Sequence, residues 1–263
     1  MRSVLSPLLE ADGAASPARV HDFLLGGHHH LSADREMADL LLLADPRART
    51  AAQIDHRHRE LALTYLAAQH GIRQVLVIGC GYPRRPYVHQ VVGRYGPPRV
   101  VYADTDLVAL EHARAAGRVP APGRVGFVRA GVAEPAALAG VQAREVLDFT
   151  RPVAVLLHHT LHLTPDPTTP LTALKAMLAG GSALSITHPT GDLHPRHVTA
   201  AAAATAAGMP VRLRTRQEVE AFCEGWHLSK GGVMPTASWG HGRRSAPGSG
   251  VSSAAYAVIA FKP

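Results

Sequence analysis

The chain has 263 residues, of which 46% are hydrophobic and 18% charged, with a formal charge of +7. That length buries a full core as one large domain, or one domain with an appendage. No apolar run reaches the roughly 18 residues of a membrane span, and the only two cysteines, Cys80 and Cys223, exclude a disulfide framework and fit a reducing cytoplasm.

The positive charge is scattered arginine, with lysine only at Lys175, Lys230 and Lys262. It lacks the basic and aromatic stripe that holds nucleic acid, so neither nucleic acid nor a membrane is expected as a partner. Residues 1–17 read as loose, and the first ten lack a signal-peptide core. An apolar segment over 20–27 stops at Gly26-Gly27. His28-His29-His30 follows, read as a polar loop or a loop facing a substrate and titrating near neutral pH. Adjacent imidazoles on an extended chain point to opposite sides, so they do not share one metal, and no metal site is expected.

Ser32 is placed to cap a helix over 33–43, with Met37, Leu40 and Leu41 inward. A second helix spans 51–69, with Leu61, Ala62, Tyr65 and Leu66 on its apolar side, and stops at Gly71, where glycine suits the position after the C-cap. Val75-Leu76-Val77-Ile78 reads as a buried parallel strand that breaks on Gly79-Cys80-Gly81. The two glycines leave room for a ligand to approach the backbone, although a tight turn without a ligand fits as well. A helix over 86–95 turns Val88, Val91, Val92 and Tyr95 to one side.

Residues 99–104 form the next strand, ending on Asp104. Its spacing of roughly 20 residues from the glycines is that of an acid reaching a ribose hydroxyl pair. Asp104 is also a candidate helix cap, but Asp106 fits that role better, ahead of a helix over 107–116. A Gly- and Pro-rich loop covers 117–123. A strand over 125–130, a helix over 135–147 and a strand over 152–157 come next. His158, His159 and His162 leave that fourth strand. A helix over 171–178 and a fifth strand over 183–187, ending on His188, complete the alternation. Strand and helix in alternation argue a doubly wound, mostly parallel α/β sheet. Beyond it come a helix over 198–207, a capping box from Thr215 to Glu218, an edge strand over 226–229, a mobile loop over 240–250 and a final strand over 254–261.

Several stretches in order then resemble one family: Ala18-Arg19-Val20-His21-Asp22-Phe23-Leu24-Leu25-Gly26-Gly27, Ala33-Asp34-Arg35-Glu36, Gly71-Ile72-Arg73-Gln74, Ile78-Gly79-Cys80-Gly81, Val101-Tyr102-Ala103-Asp104, Leu161-His162-Leu163-Thr164-Pro165-Asp166, and 215–222. From Ala18 on, the chain is similar to the actinobacterial S-adenosyl methyltransferase family, within the class I enzymes that use S-adenosylmethionine. The resemblance implies a Rossmann-like sheet of seven strands with the last antiparallel, residues 71–263, under an N-terminal helical cap, residues 1–70. It implies cofactor binding by Gly79, Cys80, Gly81, Asp104, Thr105, Ala130, Gly131, Val132 and His158, with His158 and His159 flanking the transferable methyl. Gly26, Gly27, His28 and His29 are the candidate substrate-binding loop.

The sequence departs from the family's pattern at two carboxylate positions. Val77 stands where the first strand carries an acid, and Gly131 where the third ends on an aspartate that accepts from the adenine amino group. Glu134 is the carboxylate nearest to hand to replace the latter. The expected activity is methyl transfer to a small molecule, in the setting of specialised metabolism, with His158, His159, His162 and His188 as candidate bases. Two alternatives keep the fold: acid–base cyclisation or isomerisation without methyl transfer, and binding without turnover. An NAD-linked reaction fits less well, since the dinucleotide fingerprint wants a small residue where Arg84 stands. The oligomeric state is open, a homodimer being one option.

Overall fold

A computed structural model of the chain describes residues 13–239 and 253–263. The expectations for residues 1–12 and for the loop over 240–250 fall wholly or mainly outside those residues. Ten α-helices and eight strands are seen among the described residues. The first helix, α1 (Pro17–Leu24), turns the unassigned apolar segment into a helix begun by Pro17 and ended at Gly26, φ +76°. Then come α2 (Ser32–Ala44) and α3 (Ala48–Gln69), each starting a residue or more before its expected position. Leu31, rather than Ser32, is the residue before the first turn of α2, and the Asp34 carboxylate accepts from its N–H at 2.7 Å. Leu40 points outward at 42% exposure instead of inward. Gly71 has φ +65°, as its position after α3 requires.

The sheet is built from β1 (Gln74–Ile78), β2 (Arg99–Asp104), β3 (Arg124–Arg129), β4 (Ala154–His158), β5 (Ala183–Pro189), β6 (His227–Leu228), β7 (Met234–Pro235) and β8 (Ala255–Phe261). Its order is β3-β2-β1-β4-β5-β8-β6, with β7 paired beside β8. The first five strands are parallel, and β8 is antiparallel to β5. Eight strands replace the expected seven. The extra one is the two-residue β7, too short to leave a periodic signal.

Two-residue alternation along each inner strand divides its side chains between two cores. Leu76, Ile78, Val101, Ala103, Val155 and Leu157 join one. Val75, Val77, Val100, Tyr102, Ala154 and Leu156 join the other. On the second face lie α3, through Ala62, Leu63 and Leu66, α4 (Val88–Gly93), and α5 (Leu107–Ala116) through Ala113. On the first face lie α6 (Pro135–Leu138), α7 (Val141–Arg144), α8 (Thr168–Ala176) and α10 (Arg216–Ala221). The expected single helix over 135–147 is the pair α6 and α7, parted at Gly140, where glycine disfavours continuation by about 1 kcal/mol. The remaining helix, α9 (Pro195–Ala206), packs against α1 and α2 through Ala204, Val20, Leu24 and Met37. α1, α2 and α9 thus share a small core of their own, joined by Ala52 of α3, whose later residues pack on the sheet.

Candidate functional site

Strand order reverses between β1 and β4, and a crevice opens there at the carboxyl ends of the strands. It is a cavity of about 680 Å³, within the usual range for small-molecule sites. One side is formed by Gly79, Cys80, Gly81, Asp104, Thr105, Gly131 and Val132, all expected cofactor positions. Ala130 is fully buried below and does not reach the cavity.

The glycine bend works differently from the sequence expectation. Its N–H groups are not left for a ligand: Gly79 and Cys80 donate to the Ala103 carbonyl at 2.9 and 3.1 Å, and Gly81 donates to Asp104 Oδ2 at 2.8 Å. The glycines matter through shape. Gly79, at φ +68°, has Thr160 packed where a Cβ would stand, and Thr160 Oγ1 donates to the Ile78 carbonyl. Gly81, at φ +56°, faces open space. Asp104 is 8% exposed and also accepts from the Asp106 N–H at 2.9 Å through Oδ1. Each of its oxygens takes one of these N–H groups and has a second lone pair. Burial raises its pKa. Asp106 is the cap of α5, accepting from the Val108 and Ala109 N–H groups. At Gly131 a Cβ would press on Thr105 Cγ2 at 3.1 Å, so an aspartate there would have to displace that side chain. Glu134 folds back to accept from the Gly131 N–H at 3.0 Å, which puts a carboxylate at this edge of the cavity.

Histidines dominate the opposite wall. His158, His159 and His162 all line it; His188 does not. His188 is fully buried and held between Arg214, which donates to Nε2 at 2.7 Å, and the Pro189 carbonyl, which accepts from Nδ1 at 2.8 Å. Burial lowers its pKa to about 4. His158 pairs through Nε2 with Ser185 Oγ at 2.8 Å, and burial holds its pKa well below the usual imidazole range, as it does for His162.

His159 stands apart. Its Nε2 is 2.7 Å from Asp55 Oδ2, a carboxylate on α3 that is 2% exposed. The carboxylate only accepts, so Nε2 carries a proton, and in the neutral ring the lone pair is on Nδ1. His21 and His162 flank the ring at centroid distances of 5.5 and 5.8 Å. Burial, with His159 adding to it, lowers the His21 pKa to about 3; burial also lowers His56 to about 4. Asp55, His21, His56 and Arg59 are cavity residues without a role in the sequence reading. A signal was present: Asp55, His58, Arg59 and Ala62 recur at the spacing of one helical face, and three of the four are polar.

Arg59 makes one hydrogen bond, to the Arg84 carbonyl at 3.4 Å, and no carboxylate stands within ion-pair distance of it among the described residues. Burial lowers its pKa, while Tyr102 and Cys80 act to raise it.

The glycine-pair loop is not brought to the cavity. Gly26, Gly27, His28 and His29 lie outside it. A Cβ at Gly27 would overlap the Asp22 carboxylate, which accepts from the His29 N–H at 2.9 Å. The His29 ring stacks on Tyr82 at 5.1 Å. The pair thus shapes the end of α1 around Asp22, and it is Asp22 that faces the cavity.

Residues 8–263 match the family model described as S-adenosyl methyltransferase. The chain belongs to that family. Its fold and sequence are similar to a DUF574 family protein of Streptomyces avermitilis, 31% identical over 95% of this chain and 98% of that one, TM-score 0.89. A candidate methyltransferase of Thermobifida fusca is 30% identical over 99% of both chains, TM-score 0.90. The N-methyltransferase NodS of Bradyrhizobium japonicum, solved with S-adenosylhomocysteine, shares the fold at 12% identity over 80% of this chain and 88% of that one, TM-score 0.51. No curated protein matches the chain.

The cofactor of this S-adenosyl methyltransferase is S-adenosylmethionine, and the residues present suit it. A buried acid, an open face over Gly81 and a half-buried guanidinium with no carboxylate at ion-pair distance among the described residues all line the cavity. They match in kind a ribose, a sulfonium-bearing stem and a carboxylate. No helix of the described residues is long and apolar enough to cross a membrane.

Proposed function

We propose that this S-adenosyl methyltransferase transfers its methyl group to a protic oxygen or nitrogen of a small molecule, with His159 as the base. The observation that carries the reading is the 2.7 Å pair between His159 Nε2 and Asp55 Oδ2, set in the same cavity as the glycine bend and Asp104. When bound, the cofactor supplies an electrophilic methyl on a sulfonium, whose carbon–sulfur electron pair stays with sulfur.

The rest is the work of the chain. Asp104 accepts from the ribose hydroxyls, and Glu134 offers an acceptor at the adenine edge. Arg59 pairs with the cofactor's carboxylate. His159 Nδ1 takes the acceptor's proton as the new bond to carbon forms, and Asp55 fixes the tautomer and steadies the imidazolium. His21, His158 and His162 are held neutral by burial, so they line the site without adding positive charge against a cation.

Calorimetry with S-adenosylmethionine and with methylthioadenosine, the same nucleoside without the carboxylate, tests the placement. Wild type is expected to bind both. Arg59→Met should weaken the first by about 10- to 100-fold, one charge-assisted hydrogen bond, and leave the second within about twofold. Asp104→Ala should weaken both. Absence of S-adenosylmethionine binding at millimolar concentration would overturn the reading. Turnover of an acceptor without a methyl gained would redirect it to acid–base chemistry.

A further inference from the structure

The cavity runs on from the glycine bend into a lobe between α1, α2, α3 and α9, walled by Leu24, Leu41, Ala52, Ala201, Met209 and Val211. Asp45 and His197 stand in that otherwise apolar lining, with side chains 3% and 5% exposed. The Thr190 carbonyl lies 3.1 Å from His197 Nδ1. A carbonyl only accepts, so the ring proton is on Nδ1 and Nε2 presents a bare lone pair. That Nε2 is 3.5 Å from Asp45 Oδ2 and has no hydrogen-bond partner among the described residues. Asp45 Oδ1 is occupied by the Arg47 N–H at 3.1 Å and lies 3.5 Å from Arg47 Nε, which leaves Oδ2 on the His197 side. Burial lowers the His197 pKa, keeping the ring neutral at pH 7. The bare Nε2 lone pair therefore faces the Asp45 carboxylate with no hydrogen between them, and leaving that buried nitrogen unpaired costs free energy until a donor arrives. One O–H or N–H within reach of both satisfies it.

We propose that the methyl acceptor is a small molecule with an apolar body that carries a hydrogen-bond donor at the end away from its nucleophile, seated between His197 Nε2 and Asp45 Oδ2. This rests on the methyltransferase reading above, with the nucleophile at His159. The apolar lobe holds the body, and the His197–Asp45 pair sets the length and polarity of its far end. Specificity of this kind is strong, because a molecule lacking the donor leaves the buried pair unmet.

The test is calorimetric binding to protein saturated with S-adenosylhomocysteine, which permits no turnover. The probes are para-alkylphenols from ethyl to octyl, each with and without a terminal hydroxyl. Affinity should rise about three- to fourfold per methylene until the lobe is filled. At the matching length the terminal hydroxyl should improve affinity by roughly fivefold or more over its methyl-ended counterpart. His197→Phe and Asp45→Asn should each abolish that advantage while leaving S-adenosylhomocysteine affinity within about twofold, and either variant alone suffices if the other does not fold. No alkylphenol binding, no dependence on chain length, or a hydroxyl advantage that survives both substitutions would overturn the proposal. The last outcome would mean that the hydroxyl is held elsewhere, and equal affinities of hydroxyl- and methyl-ended probes for wild type would likewise overturn it, water alone then filling the gap. Failure of S-adenosylhomocysteine to bind wild type would instead count against the cofactor reading, and the same probe comparison is then read on the protein alone.

Discussion

His159 holds φ +50°, the only residue other than glycine with positive φ among the described residues. That conformation costs of order 1–3 kcal/mol for an ordinary side chain and persists only where the surroundings impose it. Here they do: its N–H donates to the Thr187 carbonyl at 3.2 Å and to Thr187 Oγ1 at 3.1 Å, and its ring is held by Asp55. A strained backbone that aims one imidazole at a buried carboxylate is the pattern of a working group. Asp55→Asn is nearly the same size but removes the charge and lets an amide donate to Nε2, moving the proton to Nδ1, where it blocks base action. The expected result is a fall in kcat of about 10²- to 10⁴-fold, with S-adenosylmethionine affinity unchanged by titration. A loss in affinity with kcat intact would make the pair a packing feature. Of four histidines put forward as bases from sequence, only His159 has this partner, and composition could not show that. His158, His162 and His188 differ from it in burial and neighbours, which no local pattern encodes.

At the level of elements, legibility follows the strength of the local signal. β2 and α5 fall where the sequence puts them because an apolar run, Asp104, Asp106 and an amphipathic stretch agree. The box at Thr215 is equally explicit. Thr215 Oγ1 accepts from the Glu218 N–H, and the Glu218 carboxylate accepts from the Thr215 N–H at 2.7 Å. α10 has only six residues, too few to hold without such a start. Thr215→Ala is expected to cost about 1 kcal/mol and to lower Tm by about 2–4 °C, read by calorimetry, whereas Thr215→Asp should hold Tm. Equal losses in the two variants would deny the cap its role. α1 and the α6–α7 break were less readable. α1 is short and its glycine pair invites a functional reading, but the pair serves Asp22, a contact fixed by packing.

The sheet of the whole molecule was readable because alternating strands and helices leave few topologies, and the crevice follows from strand order alone. Its chemistry was less so: Asp55 and His159 are 104 residues apart and meet only when α3 crosses the end of β4. The same assembly buries many imidazoles, with a consequence for the stability of the entire chain. His58 is 1% exposed, has neither ring nitrogen partnered among the described residues, and has its pKa lowered by burial to about 4; His188 is lowered to about 4 as well. Unfolded, both return to about 6.5. Between those values the unfolded chain binds protons that the folded chain refuses, so stability falls as pH drops through 6.5 toward 4. Each site then costs about 2 kcal/mol between pH 7 and pH 5. His58→Phe removes one such site together with two unpaired buried polar atoms, so it should hold stability within about 1 kcal/mol at pH 7 and flatten the decline toward pH 5 by about one proton's worth. Denaturant unfolding of both proteins at pH 7, 6 and 5 measures this. Parallel curves would remove His58 from the acid sensitivity and leave it to the other buried imidazoles, His188 among them.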